Sequence, residues 1–600
     1  MAQHDGGAPP RLAVLLLVCA AAFPLGDVVG GAGQLLALAG AVAAAAALAC
    51  GPLWAGPRLS RSARWAVALA LAYAAHAALV GVGYLAFTTW TKLCGPLALF
   101  ALAAGGGPQT RRQLAGALTA ATLAACVLGC VQLAFPAPMP ESWVDPERYH
   151  RVKLRLVGPL ANPNLFGAYL ATVLPVHAAA YVCGGFTGAR AVAEGAAAAL
   201  SGALLLLTFS RGGWLAAGLG LAALGALAAW ARLPVARGRL GALCAAAAIA
   251  CAAAGPAVVE RLRVSGDSAE LGVAQRGALY RGVLDAIAAR PLAGWGLGSF
   301  QTAFPRFRRA GGYFPREAHS TWLHLAFETG VPGALGFALV VLSVLGAGAR
   351  GARDERDALL AGGVAGALGA CGAGMFVATV AYMQLDVAMW TVLALAVPAA
   401  GEGTRWPARA LAIGLAVGGV LWAAVAVVDP LTRGEAGGRE RARLEDAVRW
   451  MPFRSELWHD LGETCEMAGD LAAADAAYSS GLARDPLQGR FLLSRARVRA
   501  KLRRVPDALA DLDRALADDP YSEEVLVMRG ALLVALGRDA DARADLERAL
   551  ATNVQYHRLN PGTFQRAARF LADLYAKAGR SADAQAMAEK AAELGREAHR

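Results

Sequence analysis

The chain has 600 residues, of which 57% are hydrophobic and only 17% charged, with mean hydropathy +0.43. That is too apolar for a soluble enzyme and too long for a single membrane crossing, so a polytopic membrane protein follows. The net charge of +12 does not argue for nucleic acid, because the basic residues of the first part sit in short joints between apolar blocks, where membrane orientation accounts for them.

Arg11 and the run LAVLLLVCAAAFPL that follows it have the make-up of a signal peptide, but with so many apolar blocks behind them an uncleaved first helix is expected. Apolar stretches of membrane-crossing length predict thirteen spans, at about 12–29, 33–55, 65–85, 92–105, 113–135, 164–187, 192–209, 213–230, 240–259, 321–347, 358–381, 384–400 and 408–428. The break at Met383–Gln384 is read as a tight hairpin. Cys19, Cys50, Cys94, Cys126, Cys130, Cys183, Cys244, Cys251 and Cys371 lie in or beside these blocks and behave as small hydrophobes, while Cys465 falls on a predicted soluble helix. No CxxC or Cys/His ligand spacing occurs, so neither a zinc site nor a disulfide framework is predicted.

Assigning alternate joints to opposite sides sorts the charges. One set holds Arg11, then Arg58, Arg61 and Arg64, then Arg111 and Arg112, Arg190, then Arg232, Arg237 and Arg239, then Arg350, Arg353 and Arg356, and finally Arg405 and Arg409. By the positive-inside rule this set is cytoplasmic. The segments 136–163 and 260–320 and the Ser210-Arg211-Gly212-Gly213 turn then face outward, and an odd number of spans puts the C-terminal domain outside too.

Outward basic residues run against that rule and need another reason. Arg148, Arg151, Lys153 and Arg155 precede one span, and Arg276, Arg281, Arg306, Arg308, Arg309 and Arg316 populate the long segment. A solvated loop face or contact with anionic headgroups is one reading. Arg211 is different, since it interrupts the apolar run LLLLTFSRGGWLAAGLG, where an unpaired charge near hydrocarbon is costly and a partner is expected. Several outward arginines with one histidine suit a site for a diphosphate, because guanidinium groups pair with phosphate oxygens and stay charged. A neutral His could take the proton from an acceptor hydroxyl.

Other patterns carry less. Gly294-Trp295-Gly296-Leu297-Gly298 looks like a phosphate-cradling loop, but no strand precedes it and its spacing is wrong, so a tight turn is predicted. His319 and His324 fall on different faces of a helix and do not form a zinc pair. Glu317 and Glu328 could act as acids or bases, and Glu328 opens the ETGVPG turn, where it could equally cap or orient.

Four segments, in order, resemble the O-antigen ligase and polymerase family of membrane glycosyltransferases. Arg155-LVGPLANPNLFGAYL resembles its R-x-x-G and Asn-Pro-Asn segment through Gly158, Asn162, Pro163, Asn164 and Gly167. Thr208-Phe-Ser-Arg-Gly-Gly resembles its T-x-SRG turn. Arg276-GALY with Pro291-LAGWGLGSF resembles R-x-x-x-W with PL-x-G-x-G-x-x-F, Tyr280 replacing the usual Trp. His319-STWLHLAFETGVPG resembles HN-x-x-L-x-x-x-E-x-G-x-x-G, with Ser320 where Asn is common.

The resemblance covers about residues 10–430. It implies a bacterial cytoplasmic-membrane enzyme that transfers a glycan from an undecaprenyl-diphosphate-linked donor with inversion, without metal or other cofactor. By motif it implies Arg155, Arg211 and Arg276 at the diphosphate and His319 as acid/base, with Asn162, Asn164 and Glu328 in supporting positions; Arg281, an outward arginine outside the motifs, is a further candidate for binding the donor. For His319 the residues alone leave open a hydrogen-bonded cap at the start of the span. The acceptor, whether lipid A core sugar, another glycan or a protein hydroxyl, stays open, the last being the activity of a protein O-oligosaccharyltransferase. A transporter of lipid-linked saccharide is disfavoured by spans that read as nearly uniform Ala, Leu, Gly and Val. A non-catalytic membrane-anchored scaffold leaves the ordered motifs unexplained.

From about Glu440 the pattern changes to helical pairs with a period of 34 residues. Trp458, Leu461, Gly462, Gly469, Ala474, Tyr478, Gly481 and Pro486 occupy tetratricopeptide positions, two further repeats follow in phase, and a fourth comes after an insertion near Asn560-Pro561-Gly562. The expected architecture is all-α: a membrane helical bundle over 1–430 with an outward loop at 260–320, then an α-solenoid over 440–600 that serves as a protein-binding scaffold.

Overall fold

A computed structural model describes residues 60–80, 83–104, 107–136, 154–309, 315–399, 439–551 and 561–598. The predicted spans 12–29, 33–55 and 408–428, and Arg148, Arg151 and Lys153, lie outside the described residues. No strand occurs among the described residues. The chain divides into two compact units, one of residues 1–76, 88–270 and 319–431, the other of 77–87, 271–318 and 432–600.

Among the described residues, seven helices are long and apolar enough to cross a membrane: Arg61–Val80, Pro108–Ala134, Pro163–Cys183, Gly188–Leu207, Arg211–Trp230, Arg237–Arg263 and Thr321–Asp354. Two shorter apolar helices, Ala358–Ala373 and Leu385–Leu395, accompany them. The first unit is built around Pro163–Cys183, whose apolar window is 89% buried. Close backbone approach makes this possible. A Cβ on Gly366 would lie 2.5 Å from the Thr172 carbonyl oxygen, one on Gly369 2.8 Å from that of Ala171, and one on Gly220 2.7 Å from Pro175. Small residues at such crossings replace the hydrophobic drive that lipid removes.

Four expectations are corrected. The span predicted at 358–381 stops at Ala373, and the reversal lies not at Met383–Gln384 but in 374–382, which holds a 3-10 turn at Thr379–Ala381. The segment from 260 does not begin as a loop, because the Arg237–Ala289 helix runs on well beyond its apolar part. The spans are not uniformly apolar either. His177, 1% exposed, places Nδ1 2.8 Å from Glu194 Oε2 and Nε2 3.0 Å from Thr122 Oγ1. Glu194 also accepts from Thr119 Oγ1 at 2.9 Å and pairs with Arg190 at 2.5 Å. A charged set at this depth is tolerated only because each of these groups meets a partner.

Among the described residues, the basic joints gather at one end of the bundle. Arg111 donates to Asp357 Oδ2 from Nε and Nη2 at 3.1 and 2.9 Å and pairs with Glu355, pinning the turn between Thr321–Asp354 and Ala358–Ala373. Arg239 donates to the carbonyls of Tyr181 and Phe186 at 3.0 and 2.6 Å. Val182, Ala231, Leu233, Ala352 and Ala358 form one cluster there.

In the second unit, a leading helix Arg439–Trp450 precedes the pairs Ser455–Met467 with Leu471–Arg484, Gly489–Lys501 with Val505–Asp518, Glu523–Ala535 with Asp539–Leu550, and Pro561–Lys577 with Ser581–Ala598. The tetratricopeptide glycines explain the close pairing: a Cβ on Gly462 would lie 2.5 Å from the Tyr478 ring, and one on Gly481 would collide with the Phe491 ring. Gly469, Gly537 and Gly579 end first helices at positive φ, and Arg503 takes the same left-handed position in the second repeat. Arg495 clasps Asp511 at 2.9 and 2.6 Å, and one period later Arg529 clasps Asp545 at 2.7 Å twice.

Candidate functional site

At the bundle end opposite the basic joints, three of the motif segments meet. Asn162 caps the Pro163–Cys183 helix, its side-chain oxygen accepting from the backbone N–H groups of Asn164 and Leu165 at 2.8 and 3.4 Å. Ser210 caps Arg211–Trp230 by accepting from Gly213 N–H at 3.3 Å. Ser320 does the same for Thr321–Asp354, accepting from Leu323 N–H at 3.5 Å. Each of the three helices is entered through a residue at positive φ directly before its cap: Ala161 at 50°, Phe209 at 50° and His319 at 48°. Residues other than glycine rarely adopt this conformation, so the surrounding contacts must hold them there.

Those contacts are specific. Arg155, 6% exposed, donates from Nε to the Thr208 carbonyl at 3.2 Å and from Nη2 to Asn164 Oδ1 at 3.2 Å, tying the Asn-Pro-Asn segment to the SRG turn. Leu156 N–H donates to the Leu207 carbonyl at 3.0 Å beside it. Gly167 is required, since a Cβ there would lie 2.9 Å from Ser210 Cβ. On the other flank a Cβ on Gly212 would lie 2.9 Å from Phe376, in the loop after Ala358–Ala373. That loop also fixes the residues after His319: Thr321 N–H donates to the Gly374 carbonyl at 2.8 Å, and Thr321 Oγ1 donates to the Val377 carbonyl at 3.1 Å and lies 2.9 Å from Thr379 Oγ1. A set of contacts therefore runs from Arg155 through the SRG turn and the 374–379 loop to Thr321, two residues after His319.

Arg211 is exposed at the first turn of its helix, where the helix dipole adds to its positive charge, while His319 is half-buried. Trp214, one turn after Arg211, lines an open groove of about 880 Å³ between Pro163–Cys183, Gly188–Leu207, Arg211–Trp230 and the start of the Arg237–Ala289 helix. Arg232 is the one charged side chain in an otherwise apolar lining. Glu328 is buried with its carboxylate 3.4 Å from His324 Nε2, just before the helix kinks at Gly330 (φ 71°), and it interacts electrostatically with Lys92.

The second unit holds the remaining motif. Arg276 and Arg281 are both exposed on the Arg237–Ala289 helix, and Arg281 Nε donates to the Gly277 carbonyl at 3.2 Å. Burial pushes the Tyr280 hydroxyl above its ordinary range, with Arg276 opposing. Gly294, Gly296 and Gly298 all have positive φ, as a turn requires, and Trp295 Nε1 donates to the Ala286 carbonyl at 2.9 Å, folding the turn back onto the helix. Among the described residues one His/Asp/Glu group has metal-compatible spacing, His459 with Asp460 and Glu463 in the first repeat. His459 packs against Tyr478 and Phe491 as a core residue would.

The sequence locates the motif residues but shows neither the role of Arg155 as a tie between two of them nor the 374–379 loop. Phe376, Val377 and Thr379 carry no motif. The buried His177 and Glu194 are likewise absent from the sequence-based expectations, although each interrupts an apolar run and carries a signal for that reason.

No curated protein matches the chain. Among solved structures, a crystal structure of MamA is 18% identical and covers 27% of this chain and 89% of its own, with TM-score 0.24. The crystal structure of YrrB, a tetratricopeptide protein with an unusual peptide-binding site, is 18% identical over 29% of this chain and 81% of its own, with TM-score 0.22. Yeast Tom70 is 11% identical over 67% of this chain and 82% of its own, with TM-score 0.20. The family described as O-antigen ligase matches residues 196–338, which take in the SRG turn, Arg276 and His319. Residues 196–338 therefore form an O-antigen ligase family domain, set in a multi-pass membrane protein that also carries tetratricopeptide-like repeats.

Proposed function

We propose that the chain transfers a glycan from a polyprenyl-diphosphate-linked donor to an acceptor hydroxyl on the outer side of a bacterial cytoplasmic membrane, without metal and with inversion. The observation that carries this reading is the position of Arg211: an exposed guanidinium at a helix start, one turn before Trp214, which lines an apolar groove of about 880 Å³, while the 374–379 loop touches Gly212 beside Arg211 and Thr321 two residues after His319. A donor with its lipid chain in the groove would place its diphosphate at Arg211.

In the reaction, His319 accepts the proton of the acceptor hydroxyl, the oxygen forms a bond to the anomeric carbon, and the bond to the lipid diphosphate breaks. Arg211 stabilises the departing charge; for Arg276 the family resemblance implies a role toward the donor, and Arg281 is a further candidate for binding it. A preorganised donor of this kind contributes about 3–4 kcal/mol to the barrier, and a positioned base roughly 10²–10⁴ in rate. Arg155, Asn162 and Asn164 act through the SRG turn, and Glu328 through the helix that follows His319. Lipid A core sugar, another glycan or a protein hydroxyl are the acceptor classes to compare, and the repeats provide a surface for a protein partner.

The test is transfer by the purified chain in nanodiscs, with a defined lipid-diphosphate saccharide and one acceptor of each class. Product that survives chelator and carries the inverted linkage is expected. Translocation of donor without transfer to any acceptor would replace this reading with a transporter, an alternative to which the buried His177–Glu194 pair lends an observation.

A further inference from the structure

Residues 271–318 and the repeats belong to one compact unit, and the contact between them is ionic. Arg306 donates from Nε and Nη2 to Asp518 Oδ1 at 2.9 and 2.5 Å. Arg308, whose side chain is 3% exposed, donates from Nε and Nη2 to Asp519 Oδ1 at 3.2 and 2.9 Å. Asp518 ends the Val505–Asp518 helix and Asp519 caps it, so both cations also meet the negative end of a helix. Arg308 acts electrostatically on Glu523, at the start of the next helix, as well.

The first repeat supplies an internal comparison. Asp485 begins the equivalent Asp-Pro turn, accepting from Leu487 N–H at 3.3 Å as Asp519 accepts from Tyr521 N–H at 3.1 Å. The local turn therefore needs the aspartate in both repeats, while the paired arginines are an addition at Asp519.

The other face of the Arg306–Phe307–Arg308 segment is fixed to the helix that bears Arg276. A Cβ on Gly282 would collide with the Phe307 carbonyl oxygen, so only glycine admits this approach beside Arg281. The Phe307 ring meets Trp295 edge to face at 5.2 Å, and Arg290 and Arg306 lie over Trp295 at 4.3 and 5.9 Å.

We propose that the Asp518–Asp519 turn positions the 271–318 segment, and through Phe307 and Gly282 the Arg276 helix, so that the repeats are part of the transfer machinery and not only a recruiting scaffold. Asp518, Asp519, Arg306 and Arg308 are positioning residues. The kinetic part of this proposal rests on the transferase reading above; the docking part does not.

The experiment uses the full chain in nanodiscs, with Arg308→Gln, Asp519→Asn, the two combined, and Asp485→Asn as the control. Asparagine preserves the turn acceptor while removing the charge. Hydrogen exchange of amides 296–309 should rise in Arg308→Gln and in Asp519→Asn but not in Asp485→Asn. Transfer kcat should fall roughly ten- to hundredfold in each of the first two, with the double variant no worse than either single, the signature of a coupled charge pair. Unchanged exchange in both singles, or losses that simply multiply in the double, would overturn the proposal. If the wild type transfers nothing, the functional reading fails, and exchange in the four variants still decides the docking.

Discussion

Replacing Arg155 by alanine separates two readings of that residue. Its guanidinium donates to the Thr208 carbonyl and to Asn164 Oδ1, in a setting where the side chain is buried. A hydrogen bond with one charged partner contributes about 1.5–3 kcal/mol, and the orphaned acceptors add to the loss, so Arg155→Ala should destabilise the membrane part by about 3–5 kcal/mol. Arg155→Lys keeps the charge but not the paired geometry and should lose about half as much. Thermal unfolding of the detergent-solubilised full chain measures stability, and donor affinity is measured beside it. A lowered unfolding temperature with a parallel loss of donor affinity is expected, because the SRG turn loses its tie. Unchanged unfolding with donor binding abolished would refute this reasoning and make Arg155 a direct ligand of the diphosphate.

Three further outcomes are expected. Burial, then Arg490 and Arg497, push the His459 imidazole down to about 4 from 6.5, so it is neutral in the fold. Its contribution to repeat stability is complete above about pH 6.5 and is lost as pH falls toward 4, by at most about 3 kcal/mol, and His459→Gln should flatten that slope in acid unfolding curves. Gly366→Leu should cost about 1–3 kcal/mol or more and reduce the yield of folded protein by size-exclusion chromatography, because its side chain would meet the Thr172 carbonyl. His177→Ala should destabilise by about 1–3 kcal/mol, because Glu194 Oε2 loses its partner while Oε1 keeps Arg190 and Thr119, and the double variant with Glu194→Gln should recover part of it in the same melt.

The repeats are legible in the sequence because their glycines and alanines serve backbone contacts that recur every 34 residues, and even Arg503 falls in the phase of Gly469 and Gly537. The spans are legible from hydropathy, but which helix lies at the centre is not. Among the described residues Pro163–Cys183 is packed in protein while Arg237–Arg263 is not, and protein and lipid surroundings select the same apolar residues. At the site, motif order singles out Arg211 and His319, whereas the 374–379 loop meets their neighbours Gly212 and Thr321 through Phe376, backbone carbonyls and Thr379, which leave no pattern. Arg306 and Arg308 look like loop charges because their partners, Asp518 and Asp519, lie far along the chain inside an ordinary repeat turn.

The most direct test of the central claim is single-turnover transfer by His319→Ala, measured beside donor affinity in nanodiscs. Donor binding close to wild type with transfer reduced by roughly 10²–10⁴ is the predicted result, since the base is lost while Arg211 remains. Wild-type transfer by a folded His319→Ala protein would contradict the account.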